Sequence, residues 1–437
     1  KINDRNRSTL PGGFVDTVVA LVIPIQGTPR QSRGWEEDLK TARPLDGIRV
    51  IDLTRVYSGP YCTFLMAQAG AEVIKVEPVE GESVRKRDGS GGAMLPFALL
   101  NANKKTLTLD MKQPEGIEVL ERLCAGADVL VENFRPGVLA RLGLTPERLA
   151  EVNPNLIVAR NSGYGQEGLY RDYLAMDLTV QAASGIIDAT GFPGEAPVKA
   201  GPAIIDFISG THLYGAILTA LRHRDRTGEV LSPDISMMDA ALPSLMSNIA
   251  AAWASRDDPG FEARTGNRHG GLSLAPYNVY PASDGYVAII SVVEKHWLAT
   301  AGALGLDWML SDPKFETLKQ RCANMDDFDA EVGKETIKLT RAELRERLSA
   351  AGAVCAPVMK LTEVLRDPHL HERGMLHYID HPDYGEMVVM GSPLRFAGID
   401  PLPYDPSHGL GADNEAELSA LGYSAEEIAA LRHKGVL

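Results

Sequence analysis

Cysteine is scarce: Cys62, Cys124, Cys322 and Cys355 are the four in 437 residues, with no C-x-x-C pair and no His at ligand spacing. That excludes a disulfide framework and a zinc site as organising features, and a reducing cytoplasm is the simplest setting. Positive charge is also in short supply, 44 Lys and Arg against 58 Asp and Glu, a formal net charge of −14. Phosphate contacts along a polyanion need a net basic surface, so nucleic acid is excluded as the main partner, although a local basic pocket is not. The longest apolar stretch near the start, Phe14 to Ile25, is broken by Asp16 and Pro24 and is too short to span a bilayer, and no membrane partner is expected. Lys1, Arg5 and Arg7 upstream give it a faint likeness to a signal peptide, without a convincing small-residue cleavage site. Residues 1–44 are expected to form an irregular N-terminal extension outside the fold. The turn after the first strand lacks G-x-G-x-x-G, and Walker A, H-E-x-x-H and G-x-S-x-G are missing.

What is present is globular, with 44% hydrophobic and 23% charged residues over a length that suits two or three domains. From Leu45 strands alternate with helices. Gly47–Leu53 and Ala71–Glu77 read as strands around a helix opened by Pro60, a unit of about thirty residues that suits a right-handed parallel crossover. Strands at Lys105–Asp110, Asp128–Glu132 and Leu156–Ser162 follow, between helices at Pro114–Ala125, Val138–Leu142 and Pro146–Val152. This is the pattern of a parallel sheet wrapped on both faces. Residues 174–226 read as mostly helical around a Gly/Pro-rich break at Thr190–Pro202, and Ser255–Leu272 turns polar and glycine-rich. Ala275–Ile290 reads as a hairpin through Ser283-Asp284-Gly285, and Glu415–Lys434 as two short helices.

The first crossover invites a dinucleotide, with Glu77 where a ribose-binding acid would stand, but the turn Val56–Pro60 has a single glycine and no fingerprint. Basic residues near the strand ends (Lys75, Arg85, Lys86, Arg87, Lys104, Lys105, Arg135 and Arg141) read singly as solvated charge; collected at the carboxyl edge of a sheet they would hold an anion. Asn133, Phe134, Arg135 and Arg141 combine an amide, an aromatic face and two guanidinium groups, which suits a phosphorylated adenine nucleotide. Asp206 precedes the helical run Phe207–Arg226, so capping preference alone makes it a helix N-cap.

Ordered motifs carry a resemblance beyond these local readings. They are Leu45-Asp-Gly-Ile-Arg-Val-Ile-Asp-Leu-Thr54, Ser58-Gly-Pro60, Gly70-Ala-Glu-Val-Ile-Lys-Val-Glu77, Leu109-Asp-Met-Lys112 and Val131-Glu-Asn-Phe-Arg-Pro-Gly137. Ser162-Gly-Tyr-Gly-Gln166, Val180-Gln-Ala-Ala-Ser-Gly185, Ile205-Asp-Phe-Ile-Ser-Gly210, Ala282-Ser-Asp-Gly-Tyr286 and Leu421-Gly-Tyr-Ser-Ala-Glu-Glu-Ile428 continue them. Over residues 45–437 the chain resembles the family III coenzyme A transferases, the CaiB/BaiF group that includes formyl-CoA transferase, carnitine CoA-transferase and the divergent α-methylacyl-CoA racemase.

The resemblance implies an α/β fold. A large Rossmann-like CoA-binding domain (45–235) is followed by a linker with a glycine-rich loop (236–270). A small α+β domain (271–365) and a C-terminal return to the large domain (366–437) complete it, and two chains form an interlocked homodimer. It implies an acyl-CoA:carboxylate CoA-transferase with Asp206 as nucleophile, passing through acyl-aspartyl anhydride and aspartyl-CoA thioester intermediates. A carboxylate suits this role because it is ionised at neutral pH and can carry first the acyl group and then CoA. CoA would be substrate and product, with no tightly bound cofactor and no metal. Its implied contacts are Tyr57, Ser58, Leu109, Lys112, Asn133, Phe134, Arg135 and Arg141. Pro78 stands where the family often has a basic residue, and Arg85 or Arg87 would have to compensate. Gly266-Asn-Arg-His-Gly-Gly271 resembles the family's mobile glycine loop, with Gly270 and Gly271 at the site, though composition alone reads it as a linker. Asp177 is implied as a pocket residue or a base. The racemase branch is the alternative function, with Asp177 as base and His212 or His269 as partner; here Met176 replaces its usual His. A non-catalytic CoA-binding subunit is the third.

Overall fold

The computed structural model describes residues 42–87 and 95–437, so residues 1–41 of the expected extension lie outside it. Arg49–Asp52 (β1), Glu72–Glu77 (β2), Lys105–Thr108 (β3), Val129–Glu132 (β4) and Ile157–Ser162 (β5) form strands near the expected positions. With Asp234–Ser236 (β6) they make one sheet, every pair parallel, in the order β3-β2-β1-β4-β5-β6. The order reverses between β1 and β4. Crevices at the carboxyl ends of strands open at such reversals.

Helices cover both faces. Ser58–Gln68 (α1), Leu95–Leu100 (α2), Pro114–Ala125 (α3), Val138–Arg141 (α4), Pro146–Val152 (α5), Asp177–Ala183 (α6), Ile186–Ala189 (α7) and Ile204–Thr227 (α8) come in that order. Pro114 and Pro146 open α3 and α5, where a missing N–H costs nothing, and the Thr145 hydroxyl accepts the Arg148 N–H at 3.2 Å. Val119, Leu120, Leu123 and Cys124 form the buried stripe of α3, against Ile51, Ile74 and Leu130 of the sheet. Each such fully buried aliphatic contributes on the order of 1.5–3 kcal/mol. On the opposite face Phe64 and Leu65 of α1 and Leu213, Ile217 and Leu221 of α8 meet Val50, Val73, Ile157 and Ala159. By length and composition α8 is apolar enough to cross a membrane, but its apolar stripe is spent on this core.

The rest of the chain builds two antiparallel sheets. After Met237–Ala241 (α9) and Met246–Ala254 (α10), Tyr277–Ala282 (β7) and Gly285–Ile290 (β8) form the expected hairpin, and Val354–Pro357 (β9) adds to it. Glu294–Leu304 (α11), Leu318–Ala323 (α12), Met325–Thr336 (α13) and Arg341–Ala350 (α14) surround a separate core, in which Trp297, Phe328, Val332, Leu344 and Leu348 are fully buried. Leu376–His381 (β10) and Gly385–Met390 (β11) pair as a second hairpin. The C-terminal helical segments bring Leu418, Ile428 and Leu431 into the core beside α3.

Candidate active site

The turn from β1 into α1 is held by a cluster of buried charge. Asp52 Oδ1 accepts the Thr54 N–H at 2.9 Å, and Asp52 Oδ2 accepts Thr63 Oγ1 at 2.6 Å and Lys104 Nζ at 3.1 Å. Lys75 Nζ donates to the Thr54 carbonyl at 2.7 Å. All three ionisable side chains are fully buried. Burial alone would raise the Asp52 carboxyl, but Lys104, Lys75 and the Thr54 and Thr63 hydroxyls outweigh it and hold the group below its ordinary value. This cluster pins a turn in which Val56 takes a left-handed φ of 68°, costly for a β-branched residue. α1 starts there without a side-chain cap.

α8 reaches the same place from the other side. Its first residue is Ile204, so Asp206 is the third helical residue and not the N-cap that capping preference suggests; Ala203 takes that position. The cap comes from another helix. Asp177, opening α6, accepts the N–H of Ile205 at 2.8 Å and of Asp206 at 3.2 Å with Oδ2, and Gln181 donates to Oδ1. The two starts of α1 and α8 are close because Gly210 has no side chain: a Cβ there would lie 2.4 Å from the Ser58 carbonyl oxygen. The Ser58 and Ser209 hydroxyls meet at 2.8 Å, and Ser209 Oγ donates to the Asp206 carbonyl.

Asp206 is 9% exposed. Burial, and then the neighbouring Asp177 charge, push its carboxyl up to about 7, so near neutrality the free protein holds it in both protonation states. The expectation of a carboxylate already fully ionised at neutral pH needs that adjustment.

A cavity of about 580 Å³ runs along the carboxyl ends of the six parallel strands. Asp206, Ser58, Asn161, Ser162, Met176 and Met237 line it together with Leu109, Lys112, Phe134 and Arg135. Arg55 stands between the strand ends with its guanidinium 5.1 Å from the Phe134 ring centre. Asn133 is also in the wall, but its amide is used at both ends, accepting the Arg55 N–H and donating to the Arg55 carbonyl, each at 2.8 Å. It therefore clasps the β1 turn. Tyr57 is not in the lining; it is stacked on Phe207 at 6.3 Å and bonded to Arg87.

Other expected residues lie elsewhere. Arg141 is exposed at the end of α4 and outside the cavity lining. Gly270 and Gly271 lie in a segment anchored by Arg268 to Asp326 and Asp329, and are not brought to the cavity. Of the eight basic residues taken together from the sequence, only Arg135 lines it. Arg85 pairs with Glu77, Lys105 with Glu72 and Glu417, and Lys75 and Lys104 are buried under the turn.

Comparison with known proteins is decisive at the level of family. The model of CoA-transferase family III matches residues 45–414. The chain belongs to CoA-transferase family III. A formyl-CoA:oxalate CoA-transferase of Streptomyces coelicolor is 34% identical over 416 residues, 91% of this chain and all of that protein. One from Escherichia coli is 33% identical over 89% of this chain and 98% of its own. Among solved structures, a CaiB/BaiF family protein from Brucella suis superposes with a TM-score of 0.75 at 32% identity, covering 87% of this chain and 100% of its own. Rv3272 from Mycobacterium tuberculosis does so with 0.75 at 29% identity, over 86% and 99%.

Within this family III chain, sequence reasoning passed over Arg55, Arg171, Tyr173, Asn161 and Met237, all in the cavity wall. Arg55 and Asn161 sit inside or beside motifs that were read, so position after a strand was the available signal. Arg171 and Tyr173 lie in a loop whose approach to Arg135, through the Asp172 carbonyl at 3.3 Å, no local pattern encodes.

Proposed function

We propose that this protein moves coenzyme A from an acyl-CoA thioester to a carboxylic acid, with Asp206 as covalent carrier. The observation that carries the reading is the placement of Asp206: a nearly buried carboxylate in the wall of a cavity that Lys112, Arg135 and Phe134 also line, groups that suit a phosphorylated nucleotide. Asp206 attacks the thioester carbonyl carbon; the C–S bond breaks and CoA leaves as thiolate, leaving an acyl-aspartyl anhydride. The thiolate attacks the aspartyl carbon, the donor acid leaves as a carboxylate, and an aspartyl-CoA thioester remains. The acceptor carboxylate displaces CoA to give a second anhydride, and the thiolate then takes the new acyl group and restores Asp206. The first amides of α1, which no side chain caps among the described residues, suit the charge that develops on the attacked carbonyl oxygen. Those of α8 at Ile205 and Asp206 are already given to Asp177. Burial of the site slows hydrolysis of both intermediates.

Formyl-CoA and oxalate, named for the relatives, are the first pair to assay. Incubation with donor and hydroxylamine is expected to yield a hydroxamate at Asp206. Asp206→Asn is expected to lose transfer while keeping CoA affinity, and full transfer in that variant overturns the assignment. The alternative α-methylacyl-CoA racemase would exchange the C2 proton of a 2-methylacyl-CoA with solvent without any acceptor acid. The double engagement of Asp177 by α8 argues against its serving as that base. We also propose the interlocked homodimer: α10 has no buried residue, and Met246 and Trp253 on it are each 71% exposed, an apolar surface that suits a second copy.

A further inference from the structure

Along β5 the residues Ile157, Ala159 and Asn161 share one face, because successive side chains alternate. The first two are buried in the core beneath α1 and α8. Asn161 continues the same row toward the carboxyl edge, where an aliphatic side chain would fit the pattern. It is 2% exposed and lines the same cavity as Asp206, and its amide nitrogen Nδ2 has no hydrogen-bond partner among the described residues. Two other polar groups of the wall are engaged: Ser58 with Ser209, Ser162 Oγ with the Gly165 N–H at 3.0 Å. Ala175, Met176 and Met237 supply apolar wall.

A buried amide donor is costly to leave unpaired, so its presence where an aliphatic would pack points to a ligand that meets it. Resting on the transferase reading of the cavity, we infer that Asn161 is a specificity-determining residue of the transfer site. Its Nδ2 donates to an oxygen that the acyl group carries beyond its reacting carbonyl, as in hydroxy, oxo or dicarboxylic acids. A site built around a donor discriminates strongly against the analogue that leaves the donor unpaired, far more than an apolar pocket discriminates between groups of one size.

The test uses the full chain and acyl-CoA pairs that differ by hydroxyl against methyl: glycolyl-CoA with propionyl-CoA, and lactyl-CoA with isobutyryl-CoA. Hydroxylamine traps the enzyme-bound acyl group, so no acceptor has to be known. The wild type is expected to form hydroxamate from the oxygen-bearing member at least about tenfold faster, and Asn161→Leu to reduce that ratio at least about tenfold. Should the Leu variant fail to fold, as judged by its melting temperature, Asn161→Asp keeps the shape and removes the donor, and the same fall in ratio is expected. Asp206-dependent hydroxamate with an equal ratio in wild type and variants overturns the role of Asn161 and leaves the transferase reading standing. Absence of Asp206-dependent hydroxamate from every donor, formyl-CoA included, overturns both.

Discussion

Asp52 and Asp206 are both buried carboxylates beside the same turn, and their surroundings drive them in opposite directions. Asp52 has two buried ammonium groups and two hydroxyls around it and is held ionised; Asp206 has burial and a second carboxylate, and is pushed up to about 7. The first arrangement spends its charge on fixing a backbone turn. The second leaves a carboxylate under-solvated, facing a cavity and without a counter-charge among the described residues, the state that the proposed covalent carrier requires. Burial alone therefore does not mark function; the sign of the neighbouring charge does.

Substitution by Asn should separate the two most sharply. Asp206→Asn is expected to reduce transfer by at least about a thousandfold, as for loss of a covalent carrier, with the fold intact. A group with a raised folded-state value favours the fold below about pH 4 and loses that contribution as pH rises through about 7. The Asn variant should therefore melt higher than wild type at pH 8, with a difference on the order of 2–4 kcal/mol that shrinks toward pH 5. Asp52→Asn should do the reverse, costing about 3–5 kcal/mol in urea unfolding because Lys104 and Lys75 are left buried against a neutral amide. Equal stability changes in both variants would dissolve the contrast.

Gly210→Ala probes the geometry that both depend on. A Cβ 2.4 Å from the Ser58 carbonyl oxygen forces α1 and α8 apart, at about 1–3 kcal/mol. Transfer should fall by more than stability accounts for, since the start of α1 moves relative to Asp206. A variant that loses stability but keeps its kcat would show that the close approach serves packing alone.

How much of this was legible beforehand differs by region. The parallel sheet was, because Ile51, Leu53, Val73, Ile74 and Val76 make near-continuous apolar runs of strand length, separated by helices with proline starts and glycine ends. β6 was not: Asp234-Ile-Ser236 is too short to show a period and pairs only because β5 is already in place. The hairpin of β10 and β11 was missed for another reason, since only Leu376, His381, Met387 and Val389 of its strand residues are buried and the rest are half-buried or exposed. At the site, Asp206, Lys112, Phe134 and Arg135 were found from motifs, and the structure gathers them around one cavity. The trans-acting cap by Asp177 spans 28 residues and two helices, and the buried pairing of Lys104 with Asp52 spans 52. Such contacts are set by the fold, so lysines that read as an anion site became struts.

The smallest expected effect concerns the pH at which Asp206 becomes available. If its carboxyl sits near 7 in the free protein, kcat/KM for hydroxamate formation should rise with pH through about 7, because only the ionised form attacks and kcat/KM reports the free enzyme. Asp177→Asn removes the like charge but keeps an oxygen able to accept the Ile205 and Asp206 N–H groups, so the start of α8 is preserved. Burial is the larger cause of the shift and remains. The midpoint should then fall by only about half a unit to one unit, staying well above the ordinary aspartate value. A midpoint unmoved in Asp177→Asn would assign the whole shift to burial, and the contrast with Asp52 would then rest on the presence of counter-charges at one carboxylate and not on repulsion at the other.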